Sequence, residues 1–269
     1  MFRALYPVYK YLNLLSVDVA LGAVCCALFF ARLLKVSVLP FGLMSLGLTV
    51  WIIYTVDHLL DARQMKKKAS TARHQFHQEY FSRLMVVVII ASLVNAVLIF
   101  FIRRPVFWGG VLLVICVGAY LLIHRFLKFP KEIFIAILYT LGVLLPSASV
   151  TALPAQQWPW VIVIQFMFTA LLNLLIFSWF DAAKDTRDGT RSFVTMVHAK
   201  NSRVIIWTII IINILVGLFF FNGPPTCIII AMNVVLAAIF AFEKKFVRNE
   251  YFRLLGDGVF FLPIIYMWL

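Results

Sequence analysis

The stretch Phe177 to Ser192, FSWFDAAKDTRDGTRS, carries Asp181, Asp185 and Asp188, with Lys184, Arg187 and Arg191 between and after them. The three carboxylates follow directly on an apolar run, Val161 to Phe180. A second acidic pair, Asp57 and Asp61, stands in the same setting upstream, in WIIYTVDHLLDARQ. Asp residues at i and i+4 share one helix face, with side chains about 6 Å apart. Hard cations such as Mg²⁺ take oxygen ligands, commonly one or two carboxylates plus substrate phosphates. Two such pairs facing each other can hold a diphosphate through Mg²⁺. Charged residues just past a membrane helix are often only its solvated end. Two acidic pairs, each at a helix end and each interleaved with basic residues, argue for more than that.

Other residues can join the same chemistry. Tyr120 and His124 lie at i, i+4 and so on one face, and Arg125 follows. His124 and Arg125 can hold diphosphate oxygens, Arg through its planar fork of donors; the plainer alternative is a pair of basic side chains snorkelling at the interface. Ser70-Thr71-Ala72-Arg73-His74 can close over the same anion. Lys66 to Lys68 read as topology charges. Asp18 is expected about two turns inside the first span, where a carboxylate is costly and faces either a polar cavity or a basic partner. Asp257 is similar. Asn95, Asn173, Asn213 and Asn233 read as hydrogen-bonding groups between helices, and His58 as a residue packed at a helix end.

The elements that position these residues follow from composition. Of 269 residues, 64% are hydrophobic and 13% charged, and the mean hydropathy is +0.99. No soluble domain can bury that much apolar surface. A hydrocarbon core of about 30 Å needs about 20 apolar residues per helix, and the chain offers many such runs. The reading is all-α: one polytopic membrane domain over residues 1–269, with no separate soluble unit. Nine spans are expected, at roughly 12–34, 36–60, 81–102, 106–127, 133–150, 160–180, 204–221, 226–242 and 251–269. The first is not expected to be a cleavable signal peptide, because Asp18 interrupts it and no small-residue cleavage site follows. Cys25, Cys26, Cys116 and Cys227 fall inside apolar runs without metal-ligand spacing and read as small core residues.

The net charge of +13 does not indicate nucleic acid, since the basic residues lie between spans. With nine spans, 20 of the 24 Lys and Arg fall on the side of the N-terminus. Arg32, Lys35, Arg103 and Arg104 fall on the other. This positive-inside pattern places the N-terminus in the cytoplasm and the C-terminus on the opposite side. Both acidic clusters then share the cytoplasmic face. Span two with its acidic pair and basic loop resembles span six with its own, a weak internal duplication.

At these residues the chain resembles the UbiA superfamily of intramembrane prenyltransferases. The family's second aspartate motif, D-x-x-x-D followed by Gly and a basic-Ser pair, reads here as Asp181-x-x-x-Asp185, Gly189 and Arg191-Ser192. Its first motif, N-x-x-x-D-x-x-x-D, is matched by Asp57 and Asp61, with Ile53 where Asn is expected. Its Y-x-x-x-K appears as Tyr120-x-x-x-His124. The order, spacing and sidedness of these motifs extend the resemblance over nearly the whole chain.

The resemblance implies a nine-helix bundle around a central cavity. It implies an Mg²⁺-dependent transferase, with Asp57, Asp61, Asp181 and Asp185 as metal-binding and catalytic carboxylates. Arg73, Tyr120, His124, Arg125, Lys184 and Arg191 would bind diphosphate. The substrates would be an allylic prenyl diphosphate and a lipophilic acceptor, typically aromatic or a quinone precursor. A membrane terpene cyclase and a non-catalytic prenyl-diphosphate binder or transporter are the alternatives.

Overall fold

The structure is a computed structural model that describes residues 2–64, 69, 71–123, 131–189 and 192–269. Among the described residues it is helical throughout, with no strand. In chain order the helices are α1 (Phe2–Leu14), α2 (Val17–Leu33), α3 (Pro40–Gln64), α4 (Ala72–Glu79), α5 (Phe81–Leu98), α6 (Arg104–Ile123), α7 (Lys131–Ala148), α8 (Trp160–Asp188), α9 (Phe193–Val197), α10 (Ala199–Phe219), α11 (Pro224–Ala241), α12 (Glu243–Phe246) and α13 (Tyr251–Gly258). A 3₁₀ segment, Val259–Met267, continues α13.

Local chemistry sets the helix boundaries. Gly189 at φ 70° takes the left-handed position that ends α8, a conformation with no penalty for glycine. Pro224 and Pro225 open α11, where the missing N–H costs nothing. Thr71 caps α4 by accepting the His74 N–H at 3.2 Å. Ser16 adopts φ 55° between α1 and α2, and the chain turns by 82° there. That bend corrects the expected place of Asp18. Asp18 lies in the first turn of α2, because residues 12–14 belong to α1.

Six described helices are long and apolar enough to cross a membrane, or seven if the bent α1–α2 pair counts as one. They are α3, α5 with its 3₁₀ extension, α7, α8, α10 and α11. Two further expected spans remain. The expected span 106–127 corresponds to α6, which is described as far as Ile123, and 251–269 is α13 followed by a 3₁₀ segment. The length and hydropathy of these helices make the protein an integral membrane protein. α5 shows why: Val86, Ile89, Ile90, Leu93 and Val97 are exposed along it, a surface suited to lipid rather than water.

The interior centres on α8. Phe166 contacts the Phe30 ring edge-on at 5.1 Å and lies 6.0 Å from the Phe260 ring. Polar links cross the apolar packing. Asn213 donates to Asn233 at 3.0 Å, Asn233 donates to the Thr169 hydroxyl at 2.9 Å, and Asn95 donates to Thr49 at 2.9 Å. Asn95, Asn213 and Asn233 therefore join helices as expected. Asn173 differs: its buried Oδ1 has no hydrogen-bond partner and lies against Gly256, where a Cβ would sit 2.7 Å from it. The four cysteines are free.

Candidate active site

α3 and α8 each finish in acidic turns, which carry Asp57 and Asp61 on one helix and Asp181 and Asp185 on the other. α7 begins between them. Its first residue, Lys131, interacts electrostatically with Asp61, Asp57 and Tyr120. Its second residue, Glu132, interacts with Asp185 and accepts the Phe193 N–H through Oε1 at 2.8 Å. Two consecutive residues of one helix thus reach one acidic pair each. Both pairs stand at the same end of the bundle.

Asp181 is the most constrained of the four carboxylates. It is buried, at 5% exposure, and its Oδ2 accepts a hydrogen bond from Arg253 of α13. Its Oδ1 lies 3.6 Å from the Lys184 ammonium but has no hydrogen-bond partner. Lys184 donates instead to Glu250 at 2.7 Å. Arg253 stacks its guanidinium over Phe177 and Phe252, 5.4 Å from each ring centre, which offsets part of the cost of burying it. Burial raises the Glu250 carboxyl, but the hydrogen bond and charge of Lys184 outweigh it and hold the group below the ordinary range.

The first acidic pair faces α4. The Asp61 Oδ2 is 4.0 Å from His74 Nε2. Burial, with the charges of Arg253 and Arg73, pulls His74 down to about 4 against the opposing Asp61 carboxylate. Burial also lowers His77 and Arg73. His74 therefore feels both Asp61 and Arg253, the partner of Asp181.

Arg73, expected to close over an anion, is engaged in a second polar cluster. Its Nη2 donates to the Asn13 carbonyl at 3.1 Å and to Asn13 Oδ1 at 3.0 Å, and lies 3.5 Å from Asp257. Asn13 donates to Asp18 at 2.6 Å and to Asp257 at 2.8 Å. The buried carboxylates of Asp18 and Asp257 are thus satisfied by an amide and a guanidinium. They tie α1, α2, α4 and α13 together beside the acidic end. Tyr120 is buried and stacked on Phe134 at 5.1 Å. His124, Arg125 and Arg191 lie outside the described residues.

Lys131, Glu132 and Arg253, which interact with the acidic pairs, are candidate site residues that sequence reasoning missed. For Lys131 a signal was present, since it follows Lys128 and Pro130 close behind His124. Arg253 had none, because nothing local links it to Asp181. The hollow lined by Val38, Leu39, Gly42, Ile102, Arg103 and Pro146 lies at the start of α3 and the end of α7, the opposite end from the acidic pairs. Among the described residues no three His, Cys, Asp or Glu side chains form a ready metal cage. An ion shared with a phosphate ligand does not need one.

No family model matches the chain, and no curated protein matches it. Solved structures do. A UbiA homolog from Archaeoglobus fulgidus bound to DMAPP and Mg2+ superposes with a TM-score of 0.62 at 15% identity, over 95% of this chain and 99% of that one. The same homolog bound to GPP and Mg2+ gives 0.62 at 16% identity over the same shares. A structure of digeranylgeranylglyceryl phosphate synthase gives 0.54 at 13% identity, over 96% of this chain and 97% of that one. Over 95–96% of its length, then, this chain has the fold of these UbiA-like structures.

Proposed function

We propose that the protein is a UbiA-type intramembrane prenyltransferase. It moves a prenyl group from an allylic prenyl diphosphate to a lipophilic acceptor, aromatic or a quinone precursor, with Mg²⁺. The observation that carries this reading is that consecutive residues of α7, Lys131 and Glu132, interact with one acidic pair each, Lys131 with Asp57 and Asp61 and Glu132 with Asp185. The A. fulgidus homolog with this fold is bound to DMAPP or GPP together with Mg2+.

The residues fit such a ligand. Asp181 presents a buried carboxylate oxygen with no hydrogen-bond partner, the donor type Mg²⁺ prefers. Asp57, Asp61, Asp181 and Asp185 would hold the metal. When bound, Mg²⁺ supplies the Lewis acidity that neutralises the diphosphate as it leaves. Lys131, Lys184 and Arg253 supply fixed positive charge around the same oxygens, where a dry site makes each charge count for more. Tyr120 lines the side of Lys131, and the charge of Arg73 adds to the field from α4. His124, Arg125 and Arg191 retain the diphosphate-binding roles that the resemblance implies. The prenyl tail would lie among apolar helices open to lipid. By the positive-inside rule this end would face the cytoplasm, with the C-terminus across the membrane.

The test is turnover of GPP with Mg²⁺ by the purified protein in lipid nanodiscs, with product analysis by mass spectrometry. Asp57→Ala and Asp181→Ala are expected to abolish turnover while the protein stays folded. Activity like that of the unaltered protein in both variants overturns the reading. Product formed from GPP alone, with no acceptor present, would identify a cyclase instead.

A further inference from the structure

α1 leaves α2 at an angle of 82°, measured over Val8–Leu14. α2 packs along the spanning helices α3 and α7. A segment at nearly a right angle to it therefore runs close to the membrane plane. The depth of that segment is set by Trp51 of α3, whose Nε1–H donates to the Leu15 carbonyl at 2.8 Å. Trp51 precedes Asp57 by six residues, about 9 Å of helix. The turn after α1 thus joins the bundle below the first acidic pair, where apolar sequence gives way to charge.

Three sides of α1 meet three different surroundings. One side is held to the protein. The Tyr9 hydroxyl donates to the Leu254 carbonyl at 2.7 Å, and Asn13, at i+4, is buried and donates to Asp18 and Asp257. A second side is apolar and uncovered: Val8 and Tyr11, at i and i+3, are 59% and 62% exposed. The third carries Lys10, also exposed, about 100° round the helix from Tyr11 and about 160° from Val8. The α1 sequence holds two basic residues, Arg3 and Lys10, and no acidic one.

Water suits the Lys10 side and not the Val8–Tyr11 side. A helix lying in the headgroup layer beside a bundle satisfies all three: protein laterally, acyl chains beneath, phosphates and water above. Tyrosine, with an apolar ring and a polar tip, belongs at that depth. We propose that α1 is an interfacial helix that docks on the phospholipid leaflet at the acidic end, with Val8 and Tyr11 in the acyl boundary and Lys10 against lipid phosphate. This stands on the membrane fold and does not depend on the prenyltransferase reading.

The experiment uses the full chain in phosphatidylcholine–phosphatidylglycerol nanodiscs. Single variants Val8→Cys, Lys10→Cys and Tyr11→Cys are treated with a charged, water-soluble maleimide, and peptide mass spectrometry follows each new thiol apart from the native cysteines. Asn222→Cys, exposed between α10 and α11, is the water-facing reference. Lys10→Cys is expected to react at a rate like the reference. Val8→Cys and Tyr11→Cys are expected to react about tenfold more slowly or less, because an apolar surrounding suppresses the thiolate. Fast reaction at all three positions means that α1 stands in water. Slow reaction at all three means that it is sunk into the membrane or covered by protein. Either result overturns the proposal. Tyr11→Trp is an independent second variant, whose added fluorescence is expected to be quenched in nanodiscs of brominated phospholipid. A shielded but unquenched tryptophan means that a second copy of the chain or another protein covers this face, and overturns the proposal too.

Discussion

Arg253 donates to Asp181 across 72 positions of sequence, joining α13 to the last turns of α8. Both side chains are largely buried, at 13% and 8% exposure. Removing one partner leaves the other charge without its match in a poorly hydrated place. Arg253→Ala is expected to destabilise the protein by about 2–4 kcal/mol, at or just below the range for a broken buried pair because Lys184 still stands near Asp181. Thermal unfolding in detergent, run with Asp181→Asn and the double variant, measures the coupling; additive losses would show that the contact contributes nothing.

Lys131 is the cation nearest in kind to a phosphate clamp for the first acidic pair. Lys131→Ala is expected to raise KM for GPP by about tenfold or more, the loss of roughly one charge-assisted hydrogen bond. Lys131→Arg should recover part of that loss. Initial-rate kinetics against GPP concentration check both; an unchanged KM would place Lys131 outside the donor site.

His74 titrates near 4 in the folded protein, against an ordinary value of 6.5. The unfolded chain takes up the proton first as the pH falls. Stability is therefore expected to be flat above about 6.5 and to fall between 6.5 and 4. His77, also lowered by burial, acts in the same direction. Unfolding temperatures across that window should show a shallower slope in His74→Gln than in the unaltered protein.

Gly256 allows α13 to touch α8. A Cβ there would come within 2.5 Å of the Phe177 ring and 2.7 Å of Asn173 Oδ1. Phe177 is also the ring beneath the Arg253 guanidinium. Gly256→Ala is expected to cost about 1–3 kcal/mol through overpacking, visible as a lower unfolding temperature, and to reduce GPP affinity by displacing Arg253. Full retention of both would mean that the helices separate without strain.

Much of this was legible in the chain alone. Runs of apolar residues long enough for a bilayer dictate helices, because no other open structure satisfies the backbone in lipid. The positions of Asp57, Asp61, Asp181 and Asp185 just past such runs put them at helix ends, and the i, i+4 spacing put each pair on one face. These are local properties, set by periodicity and hydropathy within a few turns. Which charge meets which is not local. Arg253 found Asp181, Lys131 interacts with Asp57 and Asp61, and Arg73 turned to Asn13 and Asp257. The bend at Ser16 moved Asp18 from the inside of a span to its first turn. Each outcome depends on how helices distant in sequence pack side by side. A buried charge takes the partner that packing brings within about 4 Å, whatever its distance along the chain.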